Sequence, residues 1–273
     1  MGLLDWVFGR KKTAAPVLPP PEPEAPPTIQ AANVQGIGGR EDQEDSFALL
    51  NVTDRDALER DGLFAVLADG MGGLSGGRAA SQIAVEELCQ AFRAGSGEDI
   101  PAFLERAARN ASRAVFDACG GQSGSTLLAA HWKDGLLHWV SVGDSAIFLS
   151  RNGGVFQLNR EHTYLNTLYG EELDRDPICR QRAECHPDAH RLTAFVGMEE
   201  LPDLDLSLRP LTLLRGDTLL LCSDGISGVL SPAELLEAMS LPPAEGCALL
   251  ETMVLEKGLM EQDNYTGVLI TCR

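Results

Sequence analysis

Aromatic side chains are scarce in this chain: Phe, Trp and Tyr make up 5% of its 273 residues, so any core must rest on aliphatic side chains and alanine. Basic residues are also in short supply. There are 22 Lys and Arg against 40 Asp and Glu, a net charge of −18, which argues against a nucleic-acid binder because phosphate backbones are held by clustered Lys and Arg. No apolar run is long enough to span a bilayer. The seven cysteines are odd in number, contain no CxxC and lie mostly in apolar runs, which suits reduced thiols in a cytoplasmic protein better than a disulfide framework. Cys179, Cys185, His186 and His190 form one cluster with zinc-binding side chains, but their spacing matches no common finger.

What the chain has is enough apolar residue for a core, 44%, together with 28 Gly and 15 Pro, which signal many turns. The length fits one domain and a tail. Seven of the 15 Pro fall between Pro16 and Pro27, so residues 1–30 read as a disordered Pro-rich tail or linker, and residues 31–273 as the folded body. The apolar patch Leu3, Leu4, Trp6, Val7 and Phe8 precedes the basic Arg10, Lys11 and Lys12. It has the makings of a short helix that docks on a membrane surface or a partner, although a loose tail is the simpler state.

In the body, VQGIGG, SFALLNV and LFAVLAD read as strands, followed by the Gly-rich turn DGMGGLSGG. Ala79, Ala80, Ile83, Ala84, Leu88, Ala91 and Phe92 recur at helical spacing. A second helix is expected from Ile100 to Ala118, with Phe103, Ala107, Ala111, Ala114 and Val115 facing inward. Two hairpins follow, turning at Lys133-Asp134-Gly135 and at Asn152-Gly153-Gly154. Residues 161–191 are polar and without a clean period, so they read as an irregular excursion. LSLRPLTLL and DTLLLCSDG are read as strands, SPAELLEAMSL and PAEGCALLETMVLEKG as helices, and NYTGVLITC as a closing strand. This order predicts an α+β fold: an antiparallel β-sandwich flanked by helix pairs.

Acidic residues recur where predicted strands begin or end: Glu44 and Asp45 before the first, Asp69 after LFAVLA, Asp144 in VSVGDS, Asp224 after LLLCS, and Asp263 before the last. Strands of one sheet end at common rims, so these carboxylates can converge. Packing like charges is costly unless a cation neutralises them, and hard oxygen donors without His or Cys select Mg²⁺ or Mn²⁺. Each Asp-Gly taken alone marks only a turn, and a solvated acidic surface is the simplest use of excess carboxylate. Cys222, beside this rim, reads as a core residue.

The ordered set REDQED (Arg40–Asp45), ADGMGG (Ala68–Gly73), SGSTL (Ser123–Leu127), VGDS (Val142–Ser145), REHTY (Arg160–Tyr164), LCSDG (Leu221–Gly225) and DNYTG (Asp263–Gly267) resembles the metal-dependent PPM (PP2C-type) Ser/Thr protein phosphatases in their compact bacterial form. The resemblance covers nearly all of residues 33–272 and implies a four-layer α-β-β-α fold. It also implies that Asp69 bridges two Mn²⁺ or Mg²⁺ ions, with the Gly70 carbonyl as a further ligand. Asp224 and Asp263 would complete one shell, Glu44 and Asp45 would hold the other ion, and Asp144 would carry a weaker third. Arg40 would bind the phosphoryl group, and residues 163–191 would be a flap beside the site. The reaction implied is hydrolysis of phosphoserine or phosphothreonine by a metal-bridging hydroxide, in a monomer opposing a Ser/Thr kinase.

Several positions depart from the family pattern. Met71 stands where many members have a His, Ala146 replaces an Arg, Gln43 replaces an Asn, and HRLTAFVG lacks an Arg. His162 resembles a family His at the start of the flap, and an ordinary hydrogen-bonding role fits it equally. Two rivals share the fold: a catalytically silent phosphoprotein-binding module, and an enzyme of the same chemistry acting on a small phosphorylated molecule.

Overall fold

The computed structural model describes residues 29–72, 76–95, 97 and 99–272. The predicted tail and its docking helix lie outside the described residues, except that the first strand already begins at Ile29, ahead of the expected boundary. In chain order the first half contains β1 (Ile29–Gly36), β2 (Ser46–Leu50), α1 (Arg55–Asp61), β3 (Leu63–Ala68), β4 (Gly70–Met71), α2 (Gly76–Ala94) and α3 (Ile100–Cys119). Next come β5 (Gly124–Ser125), β6 (Leu127–Lys133), β7 (Leu136–Val142), β8 (Ala146–Arg151), β9 (Gly154–Gln157), α4 (Tyr164–Leu173) and α5 (Arg180–Glu184). The last part holds β10 (Asp205–Leu206), β11 (Leu211–Thr212), β12 (Thr218–Cys222), α6 (Asp224–Ser227), α7 (Pro232–Met239), α8 (Pro243–Glu256) and β13 (Tyr265–Cys272).

All strand pairs in the two main sheets are antiparallel. One sheet runs β1-β13-β12-β8-β9; the other runs β10-β7-β6-β3-β2, with β11 also pairing β7. Both hairpin turns fall where the sequence places them. Asp134 and Gly135 at φ +52° and +76°, and Asn152 and Gly153 at +52° and +74°, supply the positive angles that a two-residue turn matched to strand twist requires.

Three successive cores define four layers. Alternate residues of β3 divide between two of them: Phe64, Val66 and Ala68 pack under α2 and α3, while Leu63, Ala65 and Leu67 meet Ile147, Leu219, Leu221, Val268 and Ile270 of the other sheet. The opposite face of that sheet, with Leu220, Cys222 and Leu269, is covered by Leu235 and Met239 of α7 and Leu250 and Val254 of α8. Strands covered on both faces read as continuous apolar runs, which explains LFAVLA and the wholly buried β13. The shortage of aromatics is met by leucine, which supplies most of the largest fully buried side chains. Cys222 is among the core residues, as expected.

Some expectations are revised. Ala79 is exposed, because the inner face of α2 follows Ala80, Ala84 and Leu88, joined by Gly77 and Ser81. Residues 161–191 are not irregular: they contain α4 and α5, which enclose a small core of Leu168, Ala183 and Ala189. LSLRPLTLL contributes only the two-residue β10 (starting just before it) and β11, since Pro210 lacks the N–H a continuous ladder needs. No described helix is long and apolar enough to cross a membrane.

Candidate active site

The strand registers bring the acidic residues to one rim. Ser46 at the start of β2 pairs with Ala68 at the end of β3. Cys222 at the end of β12 pairs with Ala146 at the start of β8 and with Gly267 near the start of β13. Residues just beyond these ends therefore share one end of the sandwich: Glu44 and Asp45, Asp69, Asp144, Asp224 and Asp263. There a cavity of about 410 Å³ is lined by Arg40, Glu44, Asp69, Gly70, Asp144, Asp224 and Asp263, with Met71, Gly72, Thr126 and Leu192 completing the wall. Asp45 lies off this wall, 5% exposed, where Ser223 Oγ donates to its Oδ2 at 2.9 Å.

Burial and mutual repulsion shape the electrostatics. The Asp69 carboxyl is pushed well above the usual carboxylate range, first by burial and then by the charges of Asp45, Asp224, Asp144 and Asp263. Burial is also the main cause at Asp45, raised to about 6, and at Asp144, raised to about 7. Asp224 is raised by burial and by Asp263. Asp45 Oδ1 and Asp224 Oδ1 are buried and accept no hydrogen bond. Acceptors stripped of water and left without a donor are costly unless a cation reaches them. An all-oxygen donor set with orphaned carboxylate oxygens fits Mg²⁺ or Mn²⁺. Among the described residues, no three His, Cys, Asp or Glu side chains are already drawn together around a single point. The carboxylates stand around the cavity instead, Asp263 accepting from Arg40 Nη2 at 2.6 Å.

Two glycines let the backbone close on this site. A Cβ on Gly70 would lie 2.1 Å from the Gly77 carbonyl oxygen, and one on Gly77 would lie 2.7 Å from Glu44 Oε1. Neither position has room for a side chain.

Residues 43–251 match the protein phosphatase 2C family. The chain belongs to that family. It is similar to the serine/threonine protein phosphatase PstP of Mycobacterium tuberculosis, 31% identical over 227 residues, which are 81% of this chain and 42% of PstP. It thus spans less than half the length of that relative. It is also similar to the protein phosphatase PhpP of Streptococcus pneumoniae, 27% identical over 215 residues, covering 76% of this chain and 84% of PhpP. The crystal structure of the M. tuberculosis phosphatase PstP/Ppp superposes with a TM-score of 0.72 at 29% identity, over 89% of this chain and 98% of that one. The PstP catalytic domain in complex with two manganese ions superposes at 0.70 with 28% identity, again over 89% and 98%.

Set within the family fold, the departures from its pattern have local explanations. Gln43 donates from Nε2 to the Gly36 carbonyl at 3.0 Å and accepts from the Asp45 N–H at 2.9 Å, so it ties the loop that carries Glu44 and Asp45. Ala146 is fully buried against α7 and α8, where an Arg would have to displace core. His162 is a buried hydrogen-bonding residue whose Nδ1 accepts from the Gly143 N–H at 3.2 Å; burial depresses its pKa. Of the Cys179–His190 group, Cys179 is half-buried and Cys185 exposed.

Residue typing alone missed the polar side chains that hold the acidic turns. Ser125 Oγ donates to the Asp69 carbonyl at 2.9 Å, and Asn264 Oδ1 accepts from the Glu44 N–H at 2.7 Å. Ser223 and Asn264 sit inside the quoted LCSDG and DNYTG segments. That adjacency to a carboxylate was the available signal.

Proposed function

We propose that this chain is a metal-dependent protein serine/threonine phosphatase that hydrolyses phosphoserine and phosphothreonine on proteins phosphorylated by a cognate Ser/Thr kinase. The observation that carries this reading is the set of crowded, half-buried carboxylates around a cavity that also holds one guanidinium, Arg40, with Asp224 Oδ1 on the wall and Asp45 Oδ1 off it both left without a donor. Asp224 and Asp263 with Asp69 would hold one Mn²⁺ or Mg²⁺, Glu44 and Asp45 with Asp69 a second, and Asp144 a third, with the Gly70 carbonyl as a further ligand. When bound, such ions supply positive charge for the phosphoryl oxygens and acidify a water that attacks phosphorus.

The protein's own contributions follow from its donors and geometry. Arg40 presents a planar fork to the phosphoryl oxygens and can exchange its partner Asp263 for them. The carboxylates fix where the cations sit, and the sheet ends that carry them are rigid. Met71, a thioether, offers no proton to the leaving oxygen. Residues 163–191, with α4 and α5, form the flap, and Leu192 at its end reaches the cavity. On this reading the folded body begins with β1 at Ile29, the apolar and basic residues near the start of the sequence would dock on a membrane surface or a partner, and the enzyme acts in the cytoplasm as a monomer.

The test is phosphate release from a phosphothreonine peptide with Mn²⁺. Turnover that EDTA abolishes and fresh Mn²⁺ restores is expected. Peptide binding without turnover in Mn²⁺ would identify a silent phosphoprotein-binding module instead.

A further inference from the structure

The carboxylates of Asp69 and Asp144 are carried by different turns, between β3 and β4 and between β7 and β8, and one side chain touches both turns. Thr126, 2% exposed, lies between β5 and β6, opposite Asp69. Its N–H donates to the Asp69 carbonyl at 2.8 Å, and its Oγ1 accepts from the Asp69 N–H at 2.9 Å. The same Oγ1 shares a 2.7 Å hydrogen bond with Ser145 Oγ, next to Asp144. On the other side of Asp144, a Cβ added to Gly143 would lie 2.7 Å from Thr126 Cγ2, so the methyl is seated on the Gly143 backbone at φ +99°. Asp144 is thus held between two contacts of a single residue.

A hydroxyl offers one proton and two lone pairs, and Thr126 uses them on both turns at once. Valine would keep the methyl contact with Gly143 but leave the Asp69 N–H and Ser145 without this partner. Serine would keep the hydrogen bonds but lose the methyl. A buried threonine can serve packing alone, but this hydroxyl runs from the Asp69 N–H to Ser145 Oγ beside Asp144 and so links the two turns that carry the carboxylates, and Thr126 also forms part of the cavity wall.

We propose that Thr126 is a positioning residue that sets the spacing of Asp144 from Asp69, so that cation binding at Asp144 depends on the Thr126 hydroxyl. The inference rests on the metal-dependent reading of the cavity.

Mn²⁺ titration of the full chain by calorimetry, with wild type, Thr126→Val, Thr126→Ser, Asp144→Asn and the Val/Asn double variant, tests it. Thr126→Val should weaken the same class of Mn²⁺ that Asp144→Asn weakens, by roughly 10–100-fold, the usual cost of losing a residue that orients a ligand. Thr126→Ser should recover most of that loss. The double variant should bind no more weakly than Asp144→Asn alone, because the two act through one site. Wild-type affinity in Thr126→Val, or losses that add, would overturn the inference while leaving the metal site standing. Wild-type protein that binds no Mn²⁺ would overturn the site reading and this inference with it. If Thr126→Val does not unfold cooperatively, Ser145→Ala breaks the same link from the far side: weakened Mn²⁺ binding is expected, and unchanged binding overturns the proposal.

Discussion

Ser223 and Asp45, 178 residues apart in the chain, are joined by a 2.9 Å hydrogen bond from Ser223 Oγ to Asp45 Oδ2. Ser223 Oγ also accepts from the Thr266 N–H at 3.0 Å, so this one hydroxyl ties the end of β12 and the start of β13 to the loop entering β2. Removing it as Ser223→Ala strips a buried carboxylate of a donor. The expected cost is about 1–3 kcal/mol of stability, the price of an unmet buried acceptor. Urea unfolding in EDTA checks this; a change within error would mean that the Asp45 environment is not set by this bond.

The crowded carboxylates give the metal-free protein a pH dependence of known sign. Asp45 at about 6 and Asp144 at about 7 sit above their ordinary value of 3.8, chiefly through burial, so the folded state binds protons more tightly than the unfolded chain. Stability from this source is fully present at and below the ordinary carboxylate range and is lost as pH rises through about 6 to 7. In EDTA the urea midpoint should therefore be higher at about pH 5 than at about pH 8, and Mn²⁺ should raise it most at the higher pH. An EDTA midpoint that rises between those two pH values would contradict the clustering.

In the segment that carries α4 and α5, Glu172 is buried while its partners are not. Its carboxylate accepts from Arg175 Nη1 and Arg182 Nη1, both at 2.9 Å, and from the Cys179 N–H at 3.2 Å. Both guanidiniums are about half exposed and return to water if the carboxylate is lost, so Glu172→Ala should loosen α4 and α5 rather than unfold the body. Hydrogen exchange should quicken over residues 164–185, with KM for a phosphopeptide raised and turnover of a small phosphate ester kept. Unchanged exchange would show that α4 and α5 are held without this carboxylate.

Much of this was legible in the sequence for physical reasons. Strands buried on both faces announce themselves as apolar runs, and an acidic residue beside glycine at the end of such a run marks the rim, as with Asp69 and Asp224. The short helix α1 was missed because RDALERD buries only Ala57 and is begun by the Asp54 cap rather than by an apolar stripe. Helices α4 and α5 were missed for a related cause: Glu172 is buried among arginines, and pattern reading counts it as surface. The holding role of Thr126, Ser145, Ser223 and Asn264 was hidden because small polar residues in a strand or turn look like ordinary alternation. Only the three-dimensional register shows which acidic turn each one holds.

The central claim is that the rim carboxylates act by binding cations, and Asp224→Asn tests it most directly, since it keeps the side-chain shape and removes the charge of a residue whose Oδ1 is buried without a partner. The measurement is the rate of Mn²⁺-dependent phosphate release from a phosphothreonine peptide, alongside Mn²⁺ stoichiometry. The account predicts a fall of roughly 10²-fold or more together with lost Mn²⁺ binding. A folded Asp224→Asn protein that turns over at the wild-type rate would contradict it.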